Sequence, residues 1–281
     1  MLFVFVFTSC QEDDTTISQQ LIDETTFAEN VFAQLADDVE EAVPFDAVSG
    51  GRGGIGFKFG FGKCMTRTVE SPEDADFPKT ITIEYDSECT SGESDVVKSG
   101  KIIITLTGAP REEGSQRIVT FDGFSINGNE VTGTKTYTYN GNGQFTCTLV
   151  DGNILTRDGN VIVRESTKTR TLVSGGETDD RSDDVYEVTG EIAGVIIDGD
   201  SGEELSYTKI ITSPLVRSKD CFWITQGTVE TTIGDATSTV DFGDGTCDNI
   251  AVRTDENGES EEFTMQMRVR KMWRHKHNNK G

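Results

Sequence analysis

Four of the six cysteines fall into two units built to one plan. Cys64 is followed 19 residues later by Ile83-Glu84-Tyr85, and Cys221 by Val240-Asp241-Phe242 at the same offset, each trio reading aliphatic, acidic, aromatic. A second cysteine closes each unit, Cys89 four residues after Tyr85 and Cys247 five after Phe242. Beyond it come a turn-rich stretch and an alternating strand, 101–106 in one unit and 263–267 in the other. This plan predicts two related hairpins, each stapled by a disulfide, Cys64 with Cys89 and Cys221 with Cys247. Disulfides are the default use of such cysteines in an exported chain. Zinc is the rival use, but it wants close ligand pairs such as Cys-x-x-Cys, which neither unit has. Cys147 is left as a free thiol. It shares a strand face with Phe145 and Leu149 and reads as a small buried hydrophobe, with no histidine or basic helix end near it in sequence to make it reactive.

Catalytic equipment is sparse. The only histidines, His275 and His277, lie in the C-terminal tail, which leaves no Ser-His-Asp or Cys-His arrangement for the body of the chain. The 49 acidic residues keep a carboxylate-based glycan hydrolase open, yet a carboxylate pair has meaning only with geometry. Asp198, Asp200, Glu203 and Glu204, and separately Asp241, Asp244 and Asp248, could gather oxygens around calcium. Neither group has the twelve-residue loop with its terminal Glu, so both read first as acidic turns. The glycine-rich segment 49–62 lacks the Gly-Lys-Ser/Thr signature of a phosphate-cradling loop and reads as a hinge or a strand of close backbone approach. No catalytic residue, metal ligand or cofactor is expected.

The elements that would hold these residues are one helix and many strands. Phe27, Val31, Leu35 and Val39 recur every four residues, Phe32 and Ala36 widen the stripe, and Asp37, Asp38, Glu40 and Glu41 lie opposite. This predicts an amphipathic helix over 25–43 with its stripe on the sheet, Thr25 or Thr26 as cap, Glu29 completing a capping box with Thr26, and Pro44 as stop. From Cys64 onward Thr, Val, Ile and Tyr alternate with period two. Turn dipeptides recur between them: Asn127-Gly128, Asn140-Gly141, Asn142-Gly143, Asp151-Gly152, Asp158-Gly159, Asp198-Gly199, Asp244-Gly245 and Asn257-Gly258. Hairpin after hairpin gives an antiparallel meander, and no stretch supplies crossover helices for a parallel sheet. Thr132, Thr134, Thr136 and Thr138 face away from Val131, Gly133, Lys135, Tyr137 and Tyr139. Arg164, Ser166, Lys168 and Arg170 share a face that should be solvated or paired with acids on a neighbouring strand.

Ahead of Cys10 lies an unbroken apolar run, Leu2 to Phe7, followed by Thr8-Ser9, the shape of a secretory signal ending at a cleavage site. The alternative is an apolar N-terminus with an incidental cysteine. The nine residues before Cys10 carry no Lys or Arg, which predicts a start upstream. The run is too short to span a bilayer. Phe7-Thr8-Ser9-Cys10 resembles the lipobox of bacterial lipoproteins, and the Gln11-Glu12-Asp13-Asp14 that follows resembles the surface-export signal of Bacteroidota lipoproteins. With the strand pairs around 100–108 and 117–135, the Ile211-to-Arg217 segment and Val240-Asp241-Phe242-Gly243-Asp244-Gly245-Thr246-Cys247, the chain as a whole resembles the uncharacterised β-rich outer-membrane lipoproteins of that phylum. The resemblance implies acylation at Cys10, a location at the outer membrane, facing the cell surface or the periplasm, and an all-β domain. It implies no activity.

The organisation expected is a leader over 1–9, an acidic tether over 10–24, the helix over 25–43, a β domain over 44–273 and a basic tail over 274–281. The fold expected is mainly β: one long antiparallel meander of ten or more strands, strongly twisted or curled into a half-closed barrel, with a two-sheet sandwich as runner-up. A net charge of −24 argues against a nucleic-acid partner. The expected role is that of a lipid-anchored, non-enzymatic binding or structural protein with a protein or glycan partner. A carrier of a lipid or other hydrophobic ligand is the alternative.

Overall fold

The computed structural model describes residues 64–90, 96–178, 181–221 and 223–265, together with helical positions 25, 27–29, 31, 32, 35, 36 and 39. The expected leader, tether, acylated Cys10, glycine-rich segment and basic tail lie outside the described residues. Among the described residues thirteen strands follow one another: β1 (Met65–Glu70), β2 (Lys79–Thr90), β3 (Val97–Leu106), β4 (Gln116–Ile126), β5 (Asn129–Gly141), β6 (Gln144–Leu155), β7 (Val161–Ser174), β8 (Val185–Ile197), β9 (Glu204–Ser218), β10 (Gln226–Ile233), β11 (Ala236–Asp244), β12 (Ile250–Thr254) and β13 (Ser260–Thr264). They form one antiparallel sheet in sequence order, the predicted meander, and not a sandwich.

Local chemistry sets this order. Asn127-Gly128 and Asn142-Gly143 take positive φ at both positions, 52° and 78° in the first and 51° and 72° in the second. That backbone twist matches the strands it joins, so each pair turns the chain straight back. Asp151-Gly152 does something else. It lies inside β6, with Asp151 at φ 52°, and the pairing with β7 shifts between Leu149 and Gly152. The strand continues on both sides, so the dipeptide makes a bulge that bends β6 and not the hairpin its type predicts.

The described helical positions between 25 and 39, α1, cover one face of the sheet. Ala28, Val31, Phe32, Leu35 and Val39 are buried in one apolar cluster with Ile83 of β2, Ile104 of β3, Val119 of β4, Val131 of β5, Leu149 of β6, Ile162 of β7, Ile192 of β8 and Tyr207 of β9. The predicted stripe is therefore the cover of the core. The sheet curls about it: Lys135 on β5 donates to the Phe32 carbonyl at 3.3 Å while Lys209 on β9 reaches Glu29, one turn earlier. In a flat sheet those strands would stand about 19 Å apart. The capping box foreseen between Thr26 and Glu29 lies outside the described residues at Thr26; what is seen of Glu29 is its ion pair with Lys209.

The opposite face is wet and built of hydroxyls. Thr138, Thr146 and Thr169 align across β5, β6 and β7. Gln116 Nε2 bonds Thr138 and Gln144 Nε2 bonds Thr171, both at 3.2 Å.

Both predicted disulfides are present, with Cα atoms 5.4 Å apart for Cys64–Cys89 and 5.8 Å for Cys221–Cys247. Cys64 precedes β1 and Cys89 lies in β2, so the first bond closes the open end of the β1–β2 hairpin. The second does the same for β10–β11, beside the Gln226 and Asp244 pair. Each bond links residues 25 or 26 positions apart. Loops of that length contribute about 3 kcal/mol on the chain-entropy estimate. Replacing Cys64 and Cys89 together with serine is expected to lower unfolding stability by about that amount without changing the strand content, read as a shift of the urea midpoint by circular dichroism.

Candidate functional site

The site lies on the core face where three rungs of the sheet run side by side. One rung reads Arg117, Tyr137, Cys147, Lys168 and Gly190 across β4 to β8. The next reads Val119, Lys135, Leu149, Ser166, Ile192 and Lys209 across β4 to β9. The third reads Gly152, Arg164, Gly194 and Tyr207 across β6 to β9. Lys135, Arg164, Lys168 and Lys209 thus converge under α1, where the described residues supply one carboxylate, Glu29.

Arg170, at the end of the run, is exposed as expected. The reading of Arg164, Ser166 and Lys168 is corrected: their face is the core face and not the wet one, and no acid stands directly across from them on either neighbouring strand. Arg164 is 4% exposed. The reason is local: β7 keeps strict alternation through the segment, so Ile162 in the core fixes Arg164 on the same side. Glycine makes the space. Arg164 is faced by Gly152 and Gly194, and Lys168 by Gly190, so no side chain competes with either cation from those positions. A Cβ on Gly190 would stand 2.2 Å from the Thr167 carbonyl oxygen, and one on Gly194 2.4 Å from that of Val163. Those strands can approach only because the residues are glycine.

Polar partners in this region are unevenly supplied. Lys209 pairs with Glu29 at 2.7 Å, their side chains 14% and 39% exposed. Arg164 has its Nε and Nη1 buried with no hydrogen-bond partner among the described residues, and its guanidinium carbon sits 5.7 Å from the Phe32 ring centroid. The Tyr207 hydroxyl, one glycine strand away, is also buried and has no hydrogen-bond partner among the described residues. Burial pushes that phenol up, and the Arg164 charge only partly offsets it. Burial likewise raises the Tyr137 phenol, beside which lie Lys135 Nζ at 5.3 Å and the Arg117 guanidinium carbon at 4.5 Å from the ring centroid. Burial also acts to raise Glu29, but Lys209, Arg164 and Lys168 together outweigh it and hold the carboxyl below its ordinary range. Lys168 is pushed from 10.5 down to about 8, first by burial and then by Arg164 and Lys135, with Glu29 and Cys147 opposing.

Cys147 is free, as expected, but half-buried with Lys168 directly across from it. The basic neighbour that the sequence reading did not find comes from the next strand. A buried lysine also escaped that reading: Lys98 is 0% exposed, with its ammonium 5.5 Å from the Tyr85 ring centroid. The acidic turns are self-contained. Asp198 accepts from the Ser201 backbone and hydroxyl at 2.7 and 2.8 Å, Asp241 from Gly243, Asp244 from Thr246 and Asp248 from Ile250. Among the described residues no three His, Cys, Asp or Glu side chains come together as metal ligands. No family model, no curated protein and no solved structure matches this chain.

Two titrations test this electrostatic arrangement. A lysine whose folded pKa is depressed binds its proton less tightly in the folded than in the unfolded chain, so its contribution to stability rises with pH from about 8 to 10.5. Lys168→Met is therefore expected to stabilise the protein by about 2 kcal/mol at pH 7, with the advantage shrinking through that window, read by urea melts at stepped pH. Glu29 carries the opposite sign: its stabilising effect is present above the ordinary carboxylate pKa and is lost as pH falls through the folded value. Glu29→Gln is expected to cost at most about 1 kcal/mol at pH 7, since solvent screens a partly exposed pair, with the cost shrinking as acid protonates the carboxyl.

Proposed function

We propose that this chain is a lipid-anchored component of a bacterial outer membrane, acting by binding rather than by catalysis through the core face beneath α1. The observation that carries the binding half is the charge reversal there: a chain of net charge −24 gathers Lys135, Arg164, Lys168 and Lys209 under one helix. A buried cation such as Arg164 costs stability unless something compensates it, and perturbed charged groups of this kind mark functional sites more often than chance would. The filling of the face by α1 side chains favours a small polar site over an open apolar cavity. The anchoring half is supported by the lipobox-like Phe7-Thr8-Ser9-Cys10 and by two disulfides, which persist in oxidising compartments.

Anchoring is tested by metabolic labelling with radioactive palmitate in a Bacteroidota host. Label is expected in the wild-type chain and not in Cys10→Ala, with the variant moving from the membrane to the soluble fraction. Equal labelling of both would overturn the anchor. Binding is tested by the rate at which a maleimide modifies Cys147 in protein freshly isolated from envelopes. Slow modification that becomes fast after dialysis in urea and refolding is expected if a bound molecule occupies the face.

A further inference from the structure

The buried donors beneath α1 are arranged for an acceptor that the described residues do not provide. Arg164 presents Nε and Nη1, and Tyr207 its hydroxyl, all buried and without a hydrogen-bond partner among the described residues, on strands separated only by Gly194. Leaving such groups unpaired is costly, and a guanidinium more so than a phenol, so native interiors rarely keep three together. The one described carboxylate nearby, Glu29, is held by Lys209. Lys168, on the same face of β7 four residues from Arg164, adds a second charge, faced by Cys147 from β6 and Gly190 from β8.

We propose that Arg164, Tyr207 and Lys168 form a binding site for a carboxylate or phosphate group, reached between α1 and strands β7 to β9. This rests on reading the core face as the binding surface. An oxyanion satisfies what is left open: it accepts from a guanidinium and a phenol through short, charge-assisted bonds, and it neutralises the ammonium beside them. A neutral sugar hydroxyl can accept such bonds but leaves the positive charge unneutralised, and a cation would do neither. Glu29 stands as the site's internal competitor, since its carboxylate faces both Arg164 and Lys168. The apolar wall at Phe32, Ile162 and Ile192 suits a ligand whose oxyanion is joined to an apolar body.

The test is calorimetric titration of the full chain with inorganic phosphate, acetate and octanoate, against sodium chloride at matched ionic strength. Binding of at least one of the three in the millimolar range or tighter is expected. Phosphate alone points to a phosphorylated ligand, and octanoate well above acetate to an acidic amphiphile. Tyr207→Phe, which keeps the core volume, is expected to weaken binding about fivefold, and Arg164→Lys at least about tenfold. Glu29→Gln is expected to strengthen it several-fold, which a purely structural Arg164 would not produce. Heats equal to those of chloride, or binding unchanged in Tyr207→Phe and Arg164→Lys, overturn the proposal. If the oxyanions fail while Cys147 is still protected in envelope-derived protein, the face binds something else. If protection fails as well, the binding reading falls with it.

Discussion

An open sheet that curls has one face that nothing in its own strands can cover, and everything else here follows from how that face is closed. A second sheet would need a second set of alternating apolar positions, and the hydroxyl-rich reverse sides of β5, β6 and β7 do not have one. The stripe of α1 closes it instead. Burying Phe32, Leu35 and Val39 removes several hundred square ångströms of apolar surface from water and sets how tightly the strands bend. Glycines at 190 and 194 then let β7, β8 and β9 approach at the place where the cations lie.

A helix is about 10 Å wide, whereas the face it lies on spans eight strands from β2 to β9. Its apolar side seals one part, and the remainder is left to polar groups. This division explains why tyrosine recurs there: Tyr137 and Tyr207 give an apolar ring to the core and a hydroxyl to the cationic zone. It also explains why the pairs that tie α1 down are polar, Lys135 to the Phe32 carbonyl and Lys209 to Glu29, at the border between the two regions.

Much of this was legible in the amino-acid order, and the misses have physical causes. The four-residue recurrence from Phe27 to Val39 and the shared offset of the two cysteine units each depend on local geometry, so the helix and both disulfides could be read directly. Asp151-Gly152 carries the composition of a turn, yet composition fixes only the local φ values and not whether the partner strand goes on past them. Arg164 and Lys168 are expected to be solvated or paired with acids on a neighbouring strand because charge usually marks solvent. Their inward placement depends on Ile162 and on glycines contributed by β6 and β8, which no window of one strand contains. The proximity of Lys168 to Cys147 is likewise a matter of register between strands.

A sheet whose spatial order repeats its chain order has a further consequence for a chain that emerges from one end. Each strand from β2 onward finds its partner already present, as the segment made just before it. Growth by one hairpin at a time keeps loop closure short, which is the regime in which pairing is fast and few wrong partners compete. The exception is α1. It comes first, but the lysine that fixes Glu29 lies 180 residues further on, so the helix must wait until β9 has arrived before its last tether can form. The element that seals the core is thus the earliest made of those described and among the last secured, and until then the apolar face of the growing sheet stays within reach of whatever escorts the chain.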